Sequence, residues 1–276
     1  MSEQDASTST RYRQPAGPFA AAATALARRP ARLRTLSVAM CLAAFAATPA
    51  LAQVRNNPGY DRPGIGFSPS VLQAGDATLE LGLPDWSRDD GVSLYSADAL
   101  LRFGIGRSLE LQLDTGWNRL DGPGPARHGR SNTALAVKFA PPSDTRLGWG
   151  VLGGVELTDG AGIFRNPERQ YTLGASLEWE HDEDRASGLY LEAVDGETDS
   201  RLLAINTSWS LAPSVGLFVE LAAQHLSGIG NGSMGGVGMT WQATPRVQLD
   251  IGIRHRLGGH ADEWQGGFGV SVYFGK

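Results

Sequence analysis

His225-Leu226-Ser227 puts an imidazole and a hydroxyl two residues apart. On an extended strand the two share one face, because strand side chains alternate with period two. A histidine beside a serine can serve as base and nucleophile in acyl transfer, provided a third group orients the base. The strand that follows offers Val237, Met239 and Trp241 on that face, so only Asn231, in the intervening loop, could supply the third group. The plain alternative is an interfacial histidine beside a loop serine. Other candidates are weaker. Asp195-Gly196-Glu197-Thr198-Asp199 alternates acids that could hold a divalent ion, or simply be solvated. Gly228-Ile229-Gly230-Asn231-Gly232 joins two strands and has no following helix to hold a phosphate. Arg119, Arg127, His128 and Arg130 surround one connection and could meet lipid phosphates or form a polar loop. No cofactor motif is present.

The elements that carry these residues are strands. From Ala77 onward, apolar and polar residues alternate in twelve segments, roughly 77–86, 92–103, 109–117, 132–139, 147–158, 171–179, 188–194, 203–209, 215–226, 235–242, 247–253 and 267–274. Most approach the ~9–11 residues a tilted membrane strand needs. Leu109-Glu110-Leu111-Gln112-Leu113-Asp114 is the clearest of them. Every second segment ends on an aromatic on its apolar side: Phe103, Phe139, Trp179, Trp209, Trp241 and Phe274. Rings at one level, on the apolar face of alternating strands, predict a closed antiparallel barrel in lipid with an interfacial girdle. The expected fold is therefore all-β, a twelve-stranded antiparallel transmembrane β-barrel over 77–274. Its short turns face the periplasm and its longer connections, Asp121–Arg130, Asp159–Arg169 and Gly258–Gln265, face outside.

In that geometry odd positions of strands one to eleven face lipid, and the twelfth strand switches to even positions. A charge facing lipid near the midplane costs several kcal/mol, so charged residues of the opposite parity must line the lumen. They are Glu80, Asp98, Arg102, Glu110, Asp114, Lys138, Glu156, Glu178, Glu180, Glu192, Glu220, Asp250, Arg254 and Arg256. Ten acids against four bases would favour cations in a pore. The same set could instead pack into ion pairs and close the lumen; Arg102 and Glu110, flanking a tight turn, are placed to pair.

The first 52 residues read as a cleaved signal peptide. Arg28, Arg29, Arg32 and Arg34 precede an apolar run from Leu36 to Ala47, and Ala50-Leu51-Ala52 offers a cleavage site after Ala52. Pro30 and Ala31 spoil a twin-arginine motif. Cys41, the single cysteine, lies inside that leader, so the mature chain has no thiol metal site or disulfide. Removing the leader's six basic and two acidic residues from 24 and 29 leaves 18 and 27, a net charge of −9 that argues against nucleic acid. Residues 53–76, rich in Pro and Gly, read as a periplasmic N-terminal lead.

Asp61-Arg62-Pro63-Gly64, Leu109–Leu113, Val247-Gln248-Leu249-Asp250-Ile251-Gly252 and the closing Gly267–Phe274 together resemble a bacterial outer-membrane "transporter" family labelled as the MetA pathway of phenol degradation. The resemblance spans roughly Asn57 to Phe274. It implies a channel in a Gram-negative outer membrane passing small organic, even aromatic, solutes by passive or facilitated diffusion. The expected partners are lipopolysaccharide and phospholipid of that membrane, the barrel-assembly machinery and a small-molecule solute. The His225/Ser227 pair resembles the His-x-Ser of outer-membrane phospholipase A and the lipid A deacylases, which keeps a lipid acyl hydrolase as an alternative. A closed structural barrel is the other.

Overall fold

The computed structural model describes Gly59–Gly275. The leader predicted over 1–52, and residues 53–58, lie outside the described residues. Thirteen strands run in chain order: β1 (Ala77–Asp89), β2 (Val92–Gly104), β3 (Leu109–Asp121), β4 (Arg127–Arg130), β5 (Ala134–Phe139), β6 (Leu147–Glu156), β7 (Gln170–Asp182), β8 (Arg185–Asp195), β9 (Ser200–Ala212), β10 (Val215–Leu226), β11 (Gly230–Thr244), β12 (Val247–Gly259) and β13 (Trp264–Phe274). β4 and β5 both pair with β3 and form two parts of one stave, which makes twelve. Pairing is antiparallel throughout, and β1 meets β13, so the sheet closes into a barrel.

Closure matters because an open edge in lipid would leave backbone N–H and C=O groups without partners. The apolar residues point out. On β3 Leu109, Leu111 and Leu113 are exposed while Glu110 and Gln112 are buried. Ile251 at 57% and Leu173 at 65% exposed would be costly in water but suit a hydrocarbon surround. Five of the six girdle aromatics are exposed on this outer wall, and Trp209 is partly covered. A second girdle, absent from the sequence reading, sits toward the other rim: Tyr95, Trp117, Tyr171 and Trp264 also project outward. Tyr95 and Tyr171 lie near segment starts, Trp264 precedes its segment, and only Trp117 ends one, so segment ends alone could not reveal a level.

Two bulges correct the parity expected from sequence. In β1, Gly82 pairs with Gly269 and Asp85 with Gly267, so two residues oppose one. Pro84 cannot donate to the ladder, and the bulge accommodates it. Past it odd residues turn inward, which carries Asp85 into the lumen. In the fourth stave, Arg130 pairs with Trp117 and Ala134 with Asp114, which again leaves one extra residue. β13 places even positions outward, and the Gly259–Trp264 connection absorbs the change.

The connections are also tighter than the sequence suggests. β7 and β8 pair through Asp182 and Arg185, leaving two turn residues where the sequence segments 171–179 and 188–194 leave eight between them. At the opposite rim Asp90 and Gly91 both have positive φ, 45° and 78°. That is the backbone of a two-residue hairpin, which favours Asp-Gly. The connection between β6 and β7 is the longest, and its short 3-10 turn at Gly162–Phe164 covers β4.

The candidate pore and its N-terminal segment

The described residues before β1 are not a periplasmic lead. Gly59–Asp76 enters the barrel and lies against its inner wall toward the short-turn end. The sequence reading failed here because the segment lacks alternation, and its place depends on wall residues far away in the chain.

Its charges are matched one by one. Asp61 accepts from Lys138 Nζ at 3.0 and 3.1 Å and from Gln112 Nε2 at 2.9 Å. Its backbone N–H and that of Arg62 donate to Glu80 at 3.0 and 2.9 Å. Arg62 forms a two-pronged pair with Asp85, at 2.5 and 2.9 Å, and reaches Asp250 at 3.2 Å. The Ile65 N–H donates to Glu220 at 3.0 Å, which also accepts from Arg254 Nε at 2.6 Å. Arg254 donates in turn to the Pro63 carbonyl. On the other side of the lumen the Leu72 N–H donates to Glu110 at 2.9 Å.

Beneath these contacts, Arg102 donates to Glu110 at 2.7 Å, to Glu80 at 2.8 Å and to the Gly59 carbonyl at 3.0 Å. Arg102, Glu80, Glu110 and Lys138 are all essentially without solvent exposure. Ions so buried are tolerated only when paired and hydrogen-bonded, because desolvation otherwise outweighs their attraction. The segment adds an apolar anchor. Phe67 meets Tyr190 edge-on at 5.6 Å, with the Lys138 ammonium 5.4 Å from its ring centre. The wall is shaped to fit: a Cβ at Gly104 would strike the backbone of Leu72 and Gln73, and one at Gly269 would strike Arg62 and Asp250.

Toward the long-loop end the lumen is emptier. A cavity of about 430 Å³ lies there, and Asp61–Phe67 contribute to its lining. Asp98, Asp114, Glu156 and Glu192 face it, and no ion pair among the described residues reaches any of the four. Glu156 accepts from Asn132 and Asn166, and Glu192 from the Tyr190 hydroxyl. Ile65, Phe67, Leu152, Leu202 and Met234 supply its apolar surface. At the rim Arg256 pairs with Asp89 at 2.8 Å. Nearby, burial pushes the Asp262 carboxyl up, opposed by hydrogen bonds from Gln265 and Ser87. Further along this rim, burial raises the Asp159 carboxyl, but hydrogen bonds from Thr133 and Arg130 and the Arg130 charge together outweigh it and hold the group at about 2.

Of the fourteen charged residues assigned to the lumen from sequence, Glu80 meets Arg102, Glu192 faces the cavity and Glu180 is exposed near the short-turn end; the other eleven divide. Arg102, Glu110, Lys138, Glu220, Asp250 and Arg254 surround the N-terminal segment. Asp98, Asp114 and Glu156 face the cavity, and Arg256 is at its rim. Glu178 points inward near the short-turn end, opposite Gly148 and Gly188. Sequence reasoning missed Asp61, Arg62, Phe67 and Asp85. The first two were noticed for their resemblance to the family's opening, but nothing local says that they fold into a barrel.

The acyl-transfer pair is not assembled. His225 Nδ1 meets Asn231 Oδ1 at 2.7 Å, but no hydrogen bond joins His225 to Ser227. Ser227 lies exposed in the turn, its N–H donating to the Asp199 carbonyl. Among the described residues no group of His, Cys, Asp or Glu is placed to hold a metal ion.

No protein-family model and no curated protein matches this chain. Its fold does have counterparts. The crystal structure of the COG4313 outer membrane channel from Pseudomonas putida F1 superposes with a TM-score of 0.59 at 13% identity, covering 77% of this chain and 99% of that one. A KdgM porin gives 0.51 at 10% identity, covering 73% and 99%. The same porin in complex with disordered oligogalacturonate gives 0.52 at 10%, with the same coverage. The architecture is that of an outer-membrane barrel.

Proposed function

We propose that the protein is an outer-membrane channel that passes small solutes down their gradient and prefers cations. The observation that carries this reading is the cavity at the long-loop end, whose carboxylates Asp98, Asp114, Glu156 and Glu192 lack ion-pair partners. Unpaired acids lining a narrow, low-dielectric passage attract cations and repel anions. The similarity to a channel and a porin fits such a role. The organic or aromatic character of the solute rests on the MetA-pathway family resemblance, to which Phe67 adds one ring in the lumen. Export by the leader, insertion by the barrel-assembly machinery and a surround of phospholipid and lipopolysaccharide belong to the same proposal.

The N-terminal segment supports a second reading, a closed barrel, because it occupies the short-turn half of the lumen. The two differ in one measurement. Under a salt gradient in planar bilayers a channel gives discrete steps whose reversal potential has the sign for cations. A flat trace at all voltages favours the closed barrel. For the hydrolase alternative, Ser227→Ala should leave any lipid-hydrolysing activity of the parent unchanged; its loss would reinstate that reading.

A further inference from the structure

We propose that the outer wall over β1–β4 binds the phosphate group of lipid A, the phosphorylated glycolipid of the outer leaflet. The mature chain is acidic, but this strip of its surface is not. Strand register sets Trp86, Tyr95, Arg119 and His128 in one row across β1, β2, β3 and β4, and Trp117 with Arg130 in an adjacent row. Tyr95 and Trp117 are exposed members of the outer aromatic girdle, which fixes the strip at the membrane–water interface. His128 lies over the Trp117 ring at 6.1 Å with 30° between the planes. Three basic side chains therefore sit where the lipid headgroups begin, with aromatic and leucine surface below them for acyl chains.

Their own counter-ions do not fill the site. Arg119 pairs with Asp121 at 3.0 Å, but the two are 61% and 36% exposed. Arg130 pairs with Asp159 at 3.0 Å, each 40% exposed. Exposed pairs of this kind contribute little to stability, and Arg119 is the less committed of the two, since Arg130 also donates to the Asp159 carbonyl and the Thr133 hydroxyl. A phosphate dianion can share both arginines and the histidine through charge-assisted hydrogen bonds, which are stronger than neutral ones. Lipid A fits the strip better than other outer-leaflet lipid because it brings compact phosphate charge and several acyl chains together. The site is independent of whether solute crosses the lumen.

Native mass spectrometry of the full chain released from detergent tests the proposal, with diphosphoryl lipid A, its dephosphorylated form, phosphatidylglycerol and inorganic phosphate as probes. The expected result is a lipid A adduct that weakens about tenfold in Arg119→Ala and again in His128→Ala, the scale of one lost charged hydrogen-bond partner. Arg185→Ala, at the opposite rim, should leave it unchanged, and Arg119→Lys should retain part of it. Heat-modifiable gel mobility checks that each variant is folded. Equal retention of dephosphorylated lipid A, equal retention of phosphatidylglycerol, displacement by inorganic phosphate at the same concentration, or dimers in place of lipid adducts would each overturn it.

Discussion

Arg102 and Glu110 stand near the short-turn ends of β2 and β3, and Asp98 and Asp114 stand nearer the long-loop end on the same two strands. All four point into the lumen, yet their surroundings are opposite. Arg102 meets Glu110, Glu80 and the Gly59 carbonyl, and Glu110 also accepts from the Leu72 N–H. Asp98 and Asp114 meet no base and face open space. One half of the lumen thus uses charge to fix a segment of its own chain. The other holds carboxyl groups with no base paired to them. Alternation along a strand says that a residue points inward, but not which of these roles it has; that depends on what else occupies the lumen at its depth.

The largest expected difference between the halves is in stability. Arg102→Ala leaves Glu80 and Glu110 buried without their cation and should cost about 3–5 kcal/mol in denaturant unfolding from lipid vesicles. Asp98→Asn removes no paired charge and should stay within about 0.5 kcal/mol. Equal losses would erase the distinction. Next comes Gly269→Ala, whose new Cβ collides with Arg62 and Asp250. It should loosen the segment and raise single-channel conductance; unchanged conductance would mean that Arg62 does not hold the obstruction. In the outer half, Asp98→Asn combined with Asp114→Asn should lower the cation-to-anion permeability ratio severalfold without altering stability. A ratio that stays put would move selectivity elsewhere.

The smallest effect concerns the rim. The Asp159 carboxyl should titrate at about 2 in a carbon-13 pH series. Its folded value lies below the usual ~3.9. Its contribution to stability is therefore full above that usual value and disappears as pH falls through about 2. A midpoint near the ordinary value would mean that Thr133 and Arg130 do not hold it.

Much of the barrel could be read along the chain. Leu109–Asp114 alternates so regularly that its inner and outer faces follow from period two alone. The two bulges could not be placed, although Pro84 was visible, because where a ladder absorbs an extra residue is settled by the partner strand. The outer girdle escaped for a related reason: Tyr95 and Trp117 reach one level only through pairing. Asp61 and Arg62 were legible as a motif and illegible as a site, since their partners Lys138, Glu80, Asp85 and Asp250 are distributed over three strands. His225 and Ser227 show the reverse error, a spacing that promises chemistry which the turn after Leu226 does not assemble.

In the proposed channel the N-terminal segment obstructs a lumen whose outer half selects cations. Planar-bilayer recordings across a salt gradient, comparing the full chain with a variant lacking Asp61–Phe67, test it most directly. The shortened chain should show a several-fold larger conductance, with a reversal potential of cation-selective sign in both proteins. Equal conductance in the two proteins, or a reversal potential of anion-selective sign, would contradict it.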